Sequence, residues 1–284
     1  MKGQSMTIDL ARLGSDLVQD DAGIWRPRAA HHQMLSFPAD GHDVCFGLED
    51  ESFWFAHRNA CITAALAHVR FEGPLLDIGG GNGAVSQALE RADIETVMLE
   101  PGDEGATNAR RRGLRNVACA TLEDAAFESS AFGAAGLFDV AEHVADEASL
   151  LREVHRILRP RGALCVTVPA NRWLWSDEDD VAGHFRRYSL RTLREVLSRL
   201  GFEIRYETYF FAPLVVPVFL LRSLPHRVLR RTSSAVEEGA AKQHAPSPVL
   251  RRVVDALLAP ELRRIRAGHR MPFGTSCLAV AVRS

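Results

Sequence analysis

Residues 75–84, with the sequence LLDIGGGNGA, contain two overlapping glycine patterns. Gly79, Gly81 and Gly83 form GxGxG, whereas Gly79, Gly81 and Ala84 form GxGxxA. In both patterns a strand ends, the chain turns tightly because glycine has no Cβ, and the amides of a following helix face a ligand. The stretch therefore predicts a nucleoside cofactor, and the spacing alone leaves open a dinucleotide or S-adenosylmethionine (SAM).

Two acidic residues near this turn indicate which cofactor binds there, and Asp77 is the one that discriminates between them. Asp77 precedes Gly79 by two residues, where a carboxylate would repel the pyrophosphate of a dinucleotide. SAM has no phosphate and carries an ammonium and a sulfonium, which suit an acid at this place. Glu100 ends the stretch TVMLE and can accept hydrogen bonds from ribose hydroxyls in either case. Together the two acids favour SAM. The simpler interpretation is that Asp77 is a hydrogen-bond acceptor in a loop and that Glu100 is a solvated residue at the end of a strand.

The bulk composition indicates an ordinary globular protein. The chain has 284 residues, 46% hydrophobic and 25% charged, with a formal net charge of −2, which argues against a general nucleic-acid binder. Its five cysteines form no CxxC pair, so neither a disulfide framework nor a zinc ribbon is predicted, and a cytoplasmic location is expected. The longest apolar run, residues 210–221, is too short to span a bilayer, which takes about 20 residues.

From residue 75 onward, apolar runs alternate with helical periodicity, as in a parallel sheet with crossover helices. The predicted strands are residues 75–78, 96–99, 116–120, 134–140, 163–168, 203–210 and 276–283. The predicted helices between them are residues 85–92, 103–112, 147–158 and 190–200. This order predicts an α/β, Rossmann-like domain over residues 71–211 and 271–284.

Two further segments flank that domain. Residues 1–70 are predicted to form an N-terminal cap, whose helix has the sequence ESFWFAHRNACITAALAHV. Residues 212–270 are predicted to form a helical insertion that acts as a lid, with a flexible linker at 232–248. One helix of this insertion is expected to bury a single apolar face made of Leu250, Val253, Val254, Leu257 and Leu258.

Three longer stretches carry a family resemblance. The sequence LFDVAEHVADEASLLREVHRILRPRGALCVTVPA, residues 137–170, is similar to the DVLEHV, LRPGG and VP segments of methyltransferases of type 11 or 12. NRWLWSDEDDVAGHFRRYSLRTLREVLSRLGF resembles a branch with LWS, GHxRRY and a helix ending in GF. SFWFAHRN and PFGTSCLAVAVRS resemble the first helix and last strand of that branch. The chain thus resembles class I SAM-dependent methyltransferases over most of its length.

The resemblance implies a seven-stranded sheet with helices on both faces, an antiparallel last strand, and SAM at the carboxyl ends of the strands. The cofactor-binding positions that carry over are Asp77, Gly79, Gly80, Gly81, Gly83, Glu100, Thr121 and Leu122. Thr121 and Leu122 would flank the adenine, although many relatives have an acid where Thr121 stands. Arg161 is a second departure, since glycine is usual in RPRG.

Methyl transfer from a sulfonium needs in-line positioning and exclusion of water, and it needs a base only if the acceptor must lose a proton. The candidate catalytic residues are Glu142, His143 and His184. Glu142 and His143 could instead cap the following helix. Some related quinone methyltransferases are thought to bind a metal through such a Glu-His pair, but no further ligand is suitably spaced here, so no metal is predicted.

The candidate acceptor-binding residues follow in the same region: Trp173, Trp175, Arg186, Arg187 and Tyr188. Adjacent arginines can hold a carboxylate or phosphate, and tryptophans can line an acceptor pocket. Alternatively, the tryptophans pack the cap onto the sheet, and the arginines lie in a solvated turn. On the N-terminal helix, Phe53, Trp54, Phe55, His57 and Arg58 are expected to close over SAM.

These residues predict a SAM-dependent methyltransferase that acts on a small-molecule or on a glycan- or lipid-linked acceptor, with oxygen as the expected acceptor atom. The alternatives are an NAD(P)-dependent oxidoreductase and a non-catalytic partner protein with the same fold. No nucleic-acid partner is expected. The segment FFAPLVVPVFLLRSLPHRVLRR could contact a membrane surface, but packing as a lid is the preferred interpretation.

Overall fold

The computed structural model describes residues 8–13, 16–28, 46–47, 49–50, 52–228 and 248–284. One nine-stranded sheet forms its centre. The strands are β1 (Leu17–Gln19), β2 (Trp25–Pro27), β3 (Leu75–Ile78), β4 (Thr96–Leu99), β5 (Val117–Ala118), β6 (Phe132–Phe138), β7 (Leu158–Pro169), β8 (Phe202–Phe210) and β9 (Ser276–Arg283). Their order across the sheet is β1-β2-β5-β4-β3-β6-β7-β9-β8.

Helices cover both faces of this sheet. They are α1 (Phe53–Leu66), α2 (Ala84–Arg91), α3 (Asp103–Arg111), α4 (Leu122–Ala125), α5 (Glu147–Ile157), α6 (Asp177–Val181), α7 (Leu190–Arg199), α8 (Val215–Val218), α9 (Leu224–Val228) and α10 (Pro248–Arg266). A π-helical turn at Phe219–Ser223 joins α8 to α9. Short 3-10 helices lie at Leu10–Leu13, Ala141–His143, Arg172–Leu174 and Ala212–Leu214.

The seven strands from β3 to β9 have the arrangement that the sequence predicts. Strands β5, β4, β3, β6 and β7 are parallel, and β9 runs antiparallel between β7 and β8. The chain order reverses between β3 and β6, which leaves a crevice at the carboxyl ends of these two strands, where ligands bind in such sheets. The topology therefore places the glycine turn after β3 beside the Glu142-His143 pair after β6.

The N-terminal region adds two strands that the sequence analysis misses, so the sheet has nine strands instead of seven. β1 and β2 form an antiparallel pair, and β2 joins the sheet beside β5 through Trp25 and Ala118. Each has only three residues, too few to show an alternating pattern. The predicted cap helix is present as α1, and half of the other residues of the predicted cap lie outside the described residues.

The insertion forms two helical parts. Helix α10 packs against α1 through Val254, Leu258, Leu262 and Ile265, within the core layer on one face of the sheet. The apolar face predicted for this helix is only partly right, because Leu250, Val253 and Leu257 are more than half exposed. The predicted linker, residues 232–248, lies outside the described residues except for Pro248, where α10 begins. Among the described helices, none has both the length and the apolar content that crossing a bilayer requires.

Candidate active site

The glycine turn after β3 needs glycine for two reasons. Gly79, Gly81 and Gly83 have φ of +70°, +56° and +82°, in the left-handed region that other L-residues rarely adopt. A Cβ on Gly80 would lie 2.5 Å from Met98 Cγ, so packing as well as backbone conformation excludes a side chain there. At Gly81 a Cβ would meet nothing within 4 Å, because this residue borders the open cavity. Helix α2 then begins at Ala84.

Asp77 lies at the base of this turn. Its carboxylate is 1% exposed and accepts a 2.6 Å hydrogen bond from Ser86 Oγ of α2. Burial raises the pKa of Asp77 to about 6, although the Ser86 hydrogen bond and the charge of Arg58 act in the opposite direction. A cation that reaches the cavity beside Asp77 would favour the ionised carboxylate.

Glu100 joins the glycine turn to the end of β4. Its Oε2 accepts a hydrogen bond from the Gly81 amide at 2.8 Å, and its Oε1 accepts one from the Gly102 amide at 2.8 Å. The side chain is buried and lines the cavity. The two amides fix the orientation of the carboxylate, whose oxygens are acceptors of the kind that bind ribose hydroxyls.

Thr121 and Leu122, the residues predicted to flank an adenine, lie at the start of α4. Thr121 caps that helix by accepting a hydrogen bond from the Asp124 amide at 3.0 Å, and Leu122 is part of the core. Neither Thr121 nor Leu122 is among the described residues that line the cavity. Pro101, Gly102 and Asp103 form the cavity wall beyond Glu100. Their contact with an adenine stays a prediction.

One continuous cavity of about 1680 Å³ extends from the glycine turn to the insertion. This exceeds the roughly 300–1,000 Å³ of a typical ligand pocket, so it can hold a cofactor and a second molecule side by side. The turn side is polar, with Asp77, Glu100 and the glycines. The far side is lined by Leu214, Pro217, Val218, Leu221, Leu250 and Val254 of the insertion. The described side chains leave this space open, which is against the non-catalytic alternative.

The structure brings His184 next to the Glu142-His143 pair, from which it is distant in the sequence. The rings of His143 and His184 meet edge to face, with centroids 4.7 Å apart. Glu142, His143 and His184 each offer a ligand atom within 4.8 Å of the others, a set that could hold a divalent cation. The sequence analysis found no third ligand because His184 is distant along the chain, and the prediction of no metal stays untested.

His184 is oriented by a buried carboxylate. Its Nδ1 lies 2.8 Å from Oδ1 of Asp179, and Arg187 reaches both oxygens of the same carboxylate at 2.7 and 2.9 Å. Although burial acts to raise it, hydrogen bonds from His184 and Arg187 hold the pKa of Asp179 at about 2. Asp179 is therefore ionised and can stabilise a protonated imidazole, as the aspartate of a catalytic triad does.

Glu142 and His143 are shifted towards their neutral forms. Burial, and then the charge of Asp139, raise the pKa of Glu142 well above its ordinary value. Burial, and then the charge of His184, lower the pKa of His143 to about 4. Glu142 Oε2 is a buried oxygen with no hydrogen-bond partner among the described residues. Both shifts favour the uncharged form of the side chain, and His143, with a pKa of about 4, is a neutral imidazole at pH 7.

The two tryptophans predicted to line an acceptor pocket lie elsewhere. Trp173 packs edge to face against Phe219 of the insertion, at a centroid distance of 5.7 Å, and is 44% exposed. Trp175 donates a 2.9 Å hydrogen bond from Nε1 to Asp180. Neither is among the described residues that line the cavity. The geometry matches the packing alternative, with Trp173 attaching the insertion to the loop after β7.

The GHFRRY stretch divides between the cavity and the protein interior. His184 and Arg187 line the cavity, whereas Arg186 and Tyr188 are not among its described lining residues. Arg186 forms an ion pair with Glu147 at 3.0 Å, and the buried Tyr188 donates a hydrogen bond to the same carboxylate. Arg186 and Tyr188 thus attach this loop to α5.

Two acids near the catalytic candidates were not singled out from the sequence. Asp139, which follows β6, has φ of +59° and accepts a 2.6 Å hydrogen bond from Nη1 of Arg58. Asp179 forms a capping box with Ser176 at the start of α6, and this Ser-x-x-Asp spacing was a readable signal. The expected closure by the N-terminal helix is partly realised, since Phe53, Trp54, Phe55 and Arg58 line the cavity while His57 pairs with Glu261.

Comparison with known proteins agrees with this geometry. A family model described as a methyltransferase domain matches residues 53–207, more than half of the chain. The chain belongs to this methyltransferase family. Membership confirms the recognition made from the sequence motifs, together with the Rossmann-like fold and SAM as cofactor, and it is against the NAD(P)-dependent alternative.

Three individual proteins illustrate the likeness. A "probable S-adenosylmethionine-dependent methyltransferase" of Mycolicibacterium smegmatis is 27% identical over 173 residues, which are 60% of this chain and 66% of that protein. A ubiquinone biosynthesis O-methyltransferase of Pseudomonas aeruginosa is 31% identical over 94 residues, 31% of this chain and 40% of that protein. A solved SAM-dependent methyltransferase of Thermotoga maritima, titled a possible histamine N-methyltransferase, superposes with a TM-score of 0.53 at 17% identity over 86% of this chain and 99% of the other.

Proposed function

We propose that the protein transfers a methyl group from SAM to a hydroxyl oxygen of a small-molecule or lipid-linked acceptor. The observation that carries this proposal is the His184–Asp179 pair, which lies in the same cavity as the Asp77 and Glu100 carboxylates. The arrangement provides a cofactor site, an acceptor space and a base between them. The O-methyltransferase of P. aeruginosa among its relatives supports oxygen as the acceptor atom.

The cofactor side is suited to a cationic nucleoside. Asp77 attracts the ammonium group of the methionine part, the glycine turn allows close approach of the backbone, and Glu100 accepts hydrogen bonds from the ribose. When bound, SAM supplies a methyl group on a good leaving group. Phe53, Trp54 and Phe55 of α1 line the same space and exclude water from it.

On the acceptor side, His184 is the proposed base. Its Nδ1–H donates to Asp179, which leaves Nε2 unprotonated and able to take a proton from a hydroxyl. Asp179 stabilises the imidazolium that results, and Arg187 holds Asp179 in place. The raised pKa of Glu142 favours the protonated form, which can donate a hydrogen bond to the acceptor, and His143 is neutral beside it.

The test is a radiolabelled-methyl assay with fractionated cell extract as acceptor source. Asp77→Ala serves as the blank, since label transferred equally by this variant would remove the proposed cofactor site. Once an acceptor fraction is found, His184→Asn is expected to lower kcat by about 10²–10⁴-fold without weakening S-adenosylhomocysteine binding. The exposed His269 provides the matched control, and His269→Asn should transfer methyl groups like the parent protein.

Two outcomes would contradict the proposed base. The first is full activity in His184→Asn at saturating acceptor. The second is a complete loss of activity in the parent protein after EDTA treatment that Mg²⁺ or Zn²⁺ restores, because Glu142, His143 and His184 would then be acting on a metal instead. Identification of the label on nitrogen or carbon of the product would overturn the O-methylation assignment and leave the cofactor site intact.

A further inference from the structure

The insertion exposes two rows of large apolar side chains. In residues 215–228, Val216, Leu220, Leu224 and Val228 recur every fourth residue along a continuous helical run, and Leu221 lies beside them. These five side chains are 42–72% exposed. On α10, Leu250, Val253 and Leu257 are 51–57% exposed, on a face that does not pack on α1. We call these two rows together the mouth surface.

The two rows border one opening. Leu221 of the first row and Leu250 of the second both line the large cavity, although each is more than half exposed. Apolar side chains with one edge in the cavity and the rest in solvent mark its entrance. Large apolar side chains exposed together beside one opening are uncommon on a monomeric protein and indicate a binding face.

The charge of the insertion identifies what this face fits. Its described residues, 212–228 and 248–270, contain eight arginines and only two acids, of which Glu261 is buried. The whole chain has a net charge of −2, so the remainder of the sequence is correspondingly acidic. Arg222, Arg251 and Arg270 pair with acids, and the other five arginines leave the insertion with an excess of positive charge. An apolar face on a basic insertion of an otherwise acidic protein matches the apolar interior and the anionic headgroups of a lipid bilayer.

Two other occupants fit less well. A second copy placed on a two-fold axis would bring two basic surfaces together, which like-charge repulsion disfavours. The intervening segment, residues 229–247, contains by sequence only two large aliphatic residues, Leu229 and Val236, against eight exposed side chains. Its composition is therefore a poor match for covering them.

We propose that the mouth surface docks the protein on anionic membranes, with the entrance of the cavity facing the lipid. The half-exposed Trp173, which packs on Phe219 of the same helical run, is placed to lie at the level of the headgroups. Docking in this orientation gives an amphipathic acceptor a path from the bilayer into the cavity. The docking itself depends on neither the acceptor nor the methyl-transfer reaction.

The experiment is flotation of the full chain with vesicles of phosphatidylcholine alone or with about a third of phosphatidylglycerol. We expect binding to the anionic vesicles, at least about tenfold weaker binding to the neutral ones, and a decrease as salt is raised. Leu220→Asp and Leu257→Asp, one in each row, should each reduce anionic-vesicle binding about tenfold or more. Val18→Asp is the matched control, because Val18 is also exposed but lies on β1 at the opposite edge of the sheet.

Each variant is first shown to be folded by its thermal shift with S-adenosylhomocysteine. The proposal is overturned if the parent protein binds neither kind of vesicle. It is also overturned if Val18→Asp loses as much binding as Leu220→Asp and Leu257→Asp. Concentration-dependent dimerisation that Leu220→Asp abolishes, without vesicle binding by the parent, would overturn it in favour of a second copy. Because no methyl donor or acceptor is present, none of these results bears on the proposed methyl transfer.

Discussion

Asp77 is a buried carboxylate at the proposed cofactor site, and its charge lowers the stability of the cofactor-free protein. Its pKa is about 6 in the fold and near 3.8 when exposed, so the folded protein holds the charged form less well than the unfolded chain does. For an acid with a raised pKa, the favourable contribution is complete below the unfolded value and is lost as pH rises through the folded value. At pH 7.5 the ionised Asp77 therefore destabilises the cofactor-free protein.

Asp77→Asn tests this directly. The amide keeps an oxygen acceptor for Ser86 and carries no charge, so we expect the free energy of unfolding to rise by about 2 kcal/mol at pH 7.5. The gain should shrink towards zero below about pH 3, where Asp77 is protonated in both states. Urea denaturation across this pH range measures it, with Asp93→Asn, at an exposed aspartate, as the control. A gain that does not depend on pH would contradict the assigned pKa.

The same carboxylate sets the pH dependence of cofactor affinity. An ammonium group binds the ionised form, so affinity for S-adenosylhomocysteine should be constant above about pH 6.5 and should fall as pH drops through about 6. Calorimetric titrations from pH 5 to 8 measure this dependence. Asp77→Asn should bind at least about tenfold more weakly at pH 7.5 and should lose the pH dependence. A parallel decrease in both proteins at low pH would assign it to another group.

At this scale the sequence predicted the groups whose roles depend on neighbours along the chain. The glycine turn, Asp77 and Glu100 could be predicted because strand, turn and helix are consecutive. The His184–Asp179 pair was not predicted, because it depends on how a capping box and a following turn fold against one another. Likewise, the contact of His184 with Glu142 and His143 arises only when β6 and the loop after β7 lie at the same edge of the sheet.

Among the elements, α10 is attached to the core by one buried carboxylate. Glu261 accepts hydrogen bonds from the amides of Phe211 and Ala212 at 2.7 and 2.8 Å, and it pairs with His57 of α1 at 2.8 Å. The side chain is almost fully buried, so each contact is made in place of water. Glu261 thereby connects the end of β8, the cap helix α1 and the insertion at one point.

Glu261→Ala should therefore be strongly destabilising. It leaves two amides and an imidazole buried without their acceptor, and we expect a loss of about 3–5 kcal/mol in the free energy of unfolding. Chemical denaturation measures the loss, and hydrogen exchange should show faster exchange in α10. Asp255→Ala on the same helix is the control, since its exposed, weak pair with Arg251 should be worth less than about 0.5 kcal/mol. Equal effects of the two substitutions would contradict the attachment.

The predictability of the elements follows from their length and burial. β3, β4 and β9 have the predicted bounds because each is a continuous apolar run buried on both faces. α10 was predicted as a helix, but its buried face is rotated from the expected one. The sequence pattern cannot distinguish apolar residues that pack on α1, such as Leu258, from those that line a cavity mouth, such as Leu250.

For the whole molecule, the cofactor site is assembled from segments far apart in the chain. α1, the glycine turn, the end of β4 and the loop after β6 all line the same cavity. A ligand that bridges these segments binds the folded chain and not the unfolded one, so it stabilises the entire fold. The choice between a SAM-type nucleoside and a dinucleotide thus becomes measurable as a difference in melting temperature.

S-adenosylhomocysteine at about 100 times its Kd should add about 2.7 kcal/mol to the free energy of unfolding, a rise of roughly 5 °C in Tm for a chain of this size. NAD and NADP at the same concentration should leave Tm unchanged, because their pyrophosphate would face the Asp77 carboxylate at the glycine turn. Asp93→Asn should keep the full shift with S-adenosylhomocysteine, and Asp77→Asn should lose most of it even though its ligand-free Tm is higher. A Tm shift with a dinucleotide and none with S-adenosylhomocysteine would mean that Asp77 beside the turn does not select a cation. The assignments of the turn side of the cavity to SAM and of the far side to the acceptor would then both fail.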